Sequence, residues 1–200
     1  MIVFATHGDA FVHDAIASAR AFMPNEAVCI VKTGPEDEFP LAADHVLGDN
    51  VAYETGAWWR AFETFPNEPY FYFLHDSTLI KGELPKPELG ALATLPNWTG
   101  VSGSLRGRIQ QITDEHAIPT EAPFKMLLGS MFFCERQIMK KISEHSFAAF
   151  RPANKEDSTA TERIWGLLFK HLGLEMTEVM SYHEAYAGSG IVHKLRGRRP

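Results

Sequence analysis

Residues Tyr70 to Ile80 read YFYFLHDSTLI, an apolar run interrupted by His75, Asp76 and Ser77. A strand buried in a parallel sheet stays apolar while both faces are covered and turns polar where it emerges. Open parallel sheets bind ligands in the crevice outside the carboxyl ends of their strands. The spacing therefore predicts an imidazole, a carboxylate and a hydroxyl at one such mouth, where they can hold a ligand directly or through an ion. Asp76 and Ser77 also suit a simple turn, because short polar side chains hydrogen-bond their own backbone. A second polar group, THGD, ends the first apolar run and brings His7 and Asp9 to another strand end. Asp9 is equally suited to cap the helix that follows.

Familiar phosphate and hydrolase signatures begin here and fail. GSGIVH has Gly188 and Gly190 but His193 where a dinucleotide fingerprint needs its third glycine. HEAYA has Ala187 in place of the second histidine of a zinc-protease helix, and GVSGS ends in Ser104 where a nucleophile elbow needs glycine. No Walker loop is present. Nucleotide binding by strand-end carboxylates remains, with or without a divalent ion. Such an ion neutralises a diphosphate and stabilises it as a leaving group.

The elements that must position these groups alternate. Ile2 to Thr6 and Val28 to Val31 read as buried strands, DHVLG as a short third and Tyr70 to Leu74 as the next. Between them, Phe11, Val12, Ala15, Ile16, Ala19 and Phe22 recur at helical spacing, as do Tyr53, Ala57, Ala61, Phe62 and Phe65. Beyond Lys81 the pattern loosens through Pro85, Pro87, Pro96 and Pro119, and SLRGRIQQITDEHAIP reads as a long polar loop before the strand GSMFFC. Helices at ERQIMKKISEH and TERIWGLLFKHLG flank RPANKEDS, an exposed connection. This alternation predicts one α/β domain over 1–200, with a mixed, mainly parallel sheet flanked by helices. Trp58 and Trp59, adjacent on a helix, predict one core and one groove or surface aromatic, and Gly56 predicts close helix packing.

Composition narrows the function. With 45% hydrophobic residues in 200, the chain can bury a sizeable core, and its net charge of −6 argues against a surface that tracks nucleic acid. Cys29 and Cys134 sit in apolar runs and read as reduced, buried thiols, which fits a cytoplasmic protein. The N-terminus lacks the charged region of a secretory signal, and no apolar run is long enough to span a membrane.

The order of elements, with FLHDSTLI, GSMFFCERQIMKKI and TERIWGLLF, resembles the nucleotide-sugar glycosyltransferases of the GT-A fold. The resemblance implies a nucleotide-sugar donor, a glycan or surface-polysaccharide acceptor and a divalent metal, Mn or Mg, held by a DxD motif. In LHDSTL, His75 and Ser77 stand at the two carboxylate positions with Asp76 between them. That departure implies weak metal affinity, a compensating ligand or no metal. The closing HKLRGRRP is similar to the HxxGxxKPW segment of the glycogenin-like branch, making His193 a metal ligand beside Asp76. Lys194, Arg196, Arg198 and Arg199 then supply a cation field for the diphosphate. Read without the resemblance, 193–200 is a solvated basic tail, or one that contacts a membrane surface.

The same resemblance puts His7 and Asp9 where the nucleotide base is held and makes 102–125 an acceptor-side loop. A carboxylate near the start of a late helix acts as base in inverting members, which implies Glu162, with Asp157 as the alternative. TATE from Thr159 is also a capping box, in which Glu162 merely closes the helix start. The rival to a transferase is a catalytically degenerate nucleotide- or glycan-binding protein on the same fold. A nucleotidyltransferase would need a glycine-rich basic loop after the first strand, which this chain lacks.

Overall fold

The structure, a computed structural model, describes residues 1–7, 11–34, 42–96, 98, 100–121 and 123–195. In chain order β1 (Ile2–Thr6), α1 (Val12–Phe22), β2 (Val28–Lys32), β3 (His45–Leu47), α2 (Tyr53–Thr64) and β4 (Tyr70–His75) form the first half. β5 (Thr78–Ile80), β6 (Leu89–Ala91), β7 (Thr94–Pro96), α3 (Gly103–Glu115), β8 (Lys125–Leu127) and β9 (Phe132–Glu135) follow. The chain continues through α4 (Arg136–Ser143), α5 (Lys155–His171), β10 (Thr177–Glu178), α6 (Tyr182–Ala187) and β11 (Val192–Lys194).

The main sheet runs β10-β6-β9-β4-β1-β2-β3. Its β4-β1-β2-β3 part is parallel, with Phe4 opposite Ile30 on one side and Leu74 on the other, whereas β9 is antiparallel to β4 and β6. The period of two along a strand divides the core. Ile2, Phe4, Ile30, Tyr72 and Leu74 pack with α1 on one face, and Val3, Ala5, Val31, Phe71 and Phe73 pack with α2 and α5 on the other. The expected α/β class and mixed, mostly parallel sheet are thus present. Cys29 and Cys134 are buried, unpaired thiols on β2 and β9. No helix among the described residues is long and apolar enough to cross a membrane.

Four local expectations need correction. The polar stretch within 102–125 contains α3, not a long loop: Ser102 caps it by accepting from the Leu105 N–H at 3.3 Å, and Leu105, Ile109 and Ile112 form its buried face. The stretch RPANKEDS is not wholly an exposed connection, because Lys155 to Ser158 are the first turn of α5, capped by Asn154 accepting from the Asp157 N–H at 2.9 Å. TATE therefore lies inside the helix, where the Thr159 hydroxyl donates to the Lys155 carbonyl at 2.9 Å and caps nothing. Trp58 and Trp59 are both buried, since α2 is covered on two sides: Trp58 meets Phe73 and donates to the Ser130 carbonyl at 3.0 Å, while Trp59 lies 6.3 Å from Trp165.

β7 and β8 form a separate antiparallel ribbon, and close approach of α5 to β8 depends on Gly166. A Cβ there would lie 1.7 Å from the Lys125 carbonyl oxygen, so no other residue fits without moving backbone. At the strand mouths, β5 and β11 form a separate antiparallel ribbon pairing Ile80 with Val192 and Thr78 with Lys194.

Candidate functional site

Where β4 emerges, the Asp76 N–H donates to the Ala5 carbonyl at 3.1 Å, tying the end of β4 to that of β1. The Thr6 hydroxyl then donates to Asp76 Oδ2 at 2.6 Å. Asp76 and Ser77 do form the turn between β4 and β5, with the Ser77 N–H facing the Asp76 carboxylate, and Asp76 in addition reaches across to a neighbouring strand. Burial raises its carboxyl above the ordinary range, against the pull of Thr6 and the Lys194 ammonium. Lys194 enters on β11 and is only 8% exposed, with Nζ donating to Ser77 Oγ at 2.6 Å. Burial lowers the ammonium to about 8, while the carboxylates of Asp76, Glu54 and Glu162 pull it upward. The first two residues of the expected solvated tail are therefore strand, and one is a buried cation.

The rear wall is a left-handed turn, with Gly129 at φ 61 and Ser130 at φ 53. Non-glycine residues seldom adopt that region, and such strain collects at functional sites. The His75 Nε2 lies 2.7 Å from the Gly129 carbonyl and 3.5 Å from Glu54 Oε1. A carbonyl only accepts, so Nε2 carries the proton. Burial, reinforced by the charge of Lys194, holds the imidazole well below its usual range, so His75 is a neutral donor. Burial raises Glu54, but His75, Lys155 and the Ser158 hydroxyl, which donates to Oε2 at 2.8 Å, bring it below the usual carboxylate range.

Glu162 completes this wall from α5. Burial, aided by the charge of Glu54, raises its carboxyl to about 6, although Arg163, Lys155 and the Gly129 N–H all favour the ionised form. Arg163 donates to Oε2 at 2.9 Å, and the side chain remains 23% exposed. A partly open carboxyl that titrates near neutrality can exchange protons with a bound hydroxyl. Asp157 is different. Its Oδ1 accepts from Arg108 Nε at 2.7 Å and its Oδ2 from the Ala153 N–H at 3.0 Å, so both oxygens are engaged. Burial raises it, but these partners hold it below the carboxylate range. It fastens α5 to α3, and the alternative base assignment is not supported by the geometry.

Beside this wall, at the ends of β1 and β2, His7, Thr33, Asn50, Val51, Tyr53 and Ala153 line a cleft of about 250 Å³. His7 Nδ1 lies 3.0 Å from Thr33 Oγ1, and its ring centroid is 5.4 Å from that of Tyr53. Tyr53 has φ 50, and Asn50 Nδ2 holds that turn by donating to the Tyr53 carbonyl at 2.8 Å. Gly56 makes room for this, since a Cβ there would lie 2.7 Å from Asn50 Oδ1. The glycine thus serves a loop side chain, not the helix-to-helix contact expected. A larger cavity, about 360 Å³ and lined by Phe124, Gly166, Phe169 and Met176 among others, shares none of these residues. We place the candidate site at the strand mouths because strained backbone, buried ionisable groups and the cleft coincide there.

His7, His75, Asp76, Ser77 and Glu162 thus gather at one end of the sheet, as the sequence predicts, while Asp9 and Arg196, Arg198 and Arg199 lie outside the described residues. His193 is not brought to Asp76. Side chains alternate along β11, so His193 points away from the Lys194 side and its ring packs against Gly188. Among the described residues, no group of three or more His, Cys, Asp or Glu side chains is arranged to hold a metal. Sequence reasoning missed Thr6, Asn50, Glu54, Lys155 and Gly129. In comparisons with known proteins, no family model matches the chain and no curated protein is significantly similar to it.

Proposed function

We propose that this protein transfers a sugar from a nucleotide-sugar donor to a hydroxyl of a glycan or surface-polysaccharide acceptor, on a GT-A-type sheet. The observation that carries the reading is that the buried Lys194 ammonium, fixed to Ser77 Oγ at 2.6 Å, feels the charge of the partly exposed Glu162 carboxylate at a strand mouth. The adjoining cleft of about 250 Å³ supports it. Drug-sized ligands fill roughly 300–1,000 Å³, so this cleft suits one end of an extended ligand. The parallel strands β3-β2-β1-β4 with β9 antiparallel beyond them support the fold assignment.

In this reading the donor's base lies against His7 and Tyr53, its diphosphate meets Lys194, and its sugar meets the Gly129 wall. Ionised Glu162 takes the proton of the acceptor hydroxyl. The acceptor oxygen bonds to the anomeric carbon as the bond from that carbon to the diphosphate oxygen breaks, its electron pair leaving with the diphosphate. The lysine ammonium stabilises that departing charge. Direct displacement inverts the anomeric centre.

A second reading, binding without turnover, is favoured by Asp76, whose carboxylate is held by Thr6 and faces an ammonium of the protein itself. Incubating the full chain with a panel of nucleotide sugars and aryl glycoside acceptors tests both. Acceptor-dependent release of nucleoside diphosphate with an inverted product supports transfer; a raised melting temperature with no release supports the binder. If neither the nucleotide sugars nor the glycosides give release or a raised melting temperature, both readings are wrong.

A further inference from the structure

We propose that the Lys194 ammonium stands in for the divalent cation of this site, so that a nucleoside diphosphate binds here without metal. The inference rests on the nucleotide-sugar reading above and deepens it. Its ground is the donor set at His75, Asp76 and Ser77, which does not fit a divalent ion.

Manganese and magnesium in phosphate-transfer sites are held by oxygen ligands, including one or two carboxylates. Here His75 Nε2, which faces Glu54 at 3.5 Å, carries its proton toward the Gly129 carbonyl at 2.7 Å, so the ring has only its Nδ1 lone pair left, a nitrogen donor where these ions take oxygen. Asp76 has one oxygen taken by Thr6 at 2.6 Å, and Ser77 Oγ already accepts from Lys194 at 2.6 Å. His193 lies on the other side of β11. A divalent ion bound at Ser77 would sit against a buried ammonium.

Lys194 is fixed like a ligand-bearing group. Its backbone pairs with Thr78, the neighbouring Leu195 N–H donates to the Ser77 carbonyl at 2.8 Å, and the side chain is 8% exposed. The charged groups that act on it are Asp76 from the end of β4, Glu54 from α2, and Glu162 and Lys155 from α5. Those carboxylates have further partners: Glu54 has Ser158, Glu162 has Arg163, and Asp76 has Thr6. An ammonium has three N–H donors and only one goes to Ser77, so it can serve phosphate oxygens without leaving its place.

Isothermal titration of the full chain with the diphosphates of uridine, guanosine, adenosine, cytidine and thymidine, in excess EDTA and in excess manganese, tests this. The expected result is that at least one binds in EDTA with an affinity within about twofold of that in manganese. Lys194→Met should then weaken it roughly tenfold to a hundredfold, the scale of one charged hydrogen bond, and Lys194→Arg should retain most of it. Binding that needs manganese and vanishes in EDTA overturns the inference and leaves the donor reading standing. Unchanged affinity in Lys194→Met also overturns it. If none of the diphosphates binds in either condition, the donor reading falls and takes the inference with it. The EDTA comparison uses the parent chain, so misfolding of a variant does not blunt it.

Discussion

His75 and Glu162 hold opposite ends of one residue: the Gly129 carbonyl accepts from His75 Nε2 at 2.7 Å, and the Gly129 N–H faces the Glu162 carboxylate. Burial acts on the two with opposite consequences for stability. The imidazole is lowered, so its contribution is present above the unfolded value of about 6.5 and is lost as pH falls through the lowered folded value. The Glu162 carboxyl is raised from 4.5 to about 6, so its contribution is present below 4.5 and is lost as pH rises through about 6.

Between those two carboxyl values the slopes oppose, each reaching at most about 1.4 kcal/mol per pH unit. Glu162→Gln should therefore make stability fall more steeply with acid than in the parent over that range, and His75→Gln less steeply. Urea unfolding at a series of pH values measures both differences. Curves parallel to the parent's would mean that neither group changes protonation on unfolding there.

Glu162 and Asp157 separate cleanly by variant. Glu162→Gln should lower turnover by roughly 10²–10⁴-fold while nucleoside diphosphate affinity stays close to the parent's, the pattern of a lost base. Asp157→Asn should instead cost about 1–3 kcal/mol of stability, because it weakens the bonds from Arg108 and the Ala153 N–H, with turnover per folded molecule retained. Kinetics paired with chemical denaturation distinguish them; the reverse pattern would exchange their roles.

The acid side of the turnover profile gives an independent check. A base must be ionised, so kcat/KM, which reports the free enzyme, should fall as pH drops through about 6, the value to which burial raises Glu162. A profile flat down to the ordinary carboxylate range would remove Glu162 from the chemistry.

Asn50→Ala removes the bond that holds Tyr53 at φ 50 from a side chain only 5% exposed. The expected loss is about 1–2 kcal/mol of stability. Nucleoside diphosphate binding should weaken as well, because the aromatic wall of the cleft loses its hold. Affinity unchanged at temperatures where the variant is folded would take the base away from the His7 and Tyr53 cleft.

The legible parts of this fold are those whose signal is local. IVFAT and YFYFL are apolar because both faces are covered, and the polar residues that end them mark the crevice. α3 was hidden by its own surface: Arg106, Arg108, Gln110, Gln111 and Asp114 outnumber the buried Leu105, Ile109 and Ile112, and Gly103 and Gly107 read as breakers. At the start of α5 the capping box at TATE draws the eye five residues too late, because Asn154, inside a stretch that reads as an exposed connection, is the cap. Glu54 had no local mark at all. A carboxylate in a helix reads as solvated, and only its contacts with His75, distant in sequence, and with Ser158, 104 residues away, make it part of a site. Lys194 was masked by the basic residues that follow it, because nothing in HKLRGRRP distinguishes a strand-bound cation from a loose one.

The bond from Lys194 to Ser77 joins residues 117 positions apart, whereas Thr6 and Asp76 are 70 apart. Closing the longer loop costs only modestly more, about 0.6 kcal/mol per doubling. The β11–β5 ribbon and the cation of the pocket are one unit: whatever frees β11 from β5 also removes the positive pole, while the Thr6 hydroxyl keeps its hold on Asp76 at the end of β4.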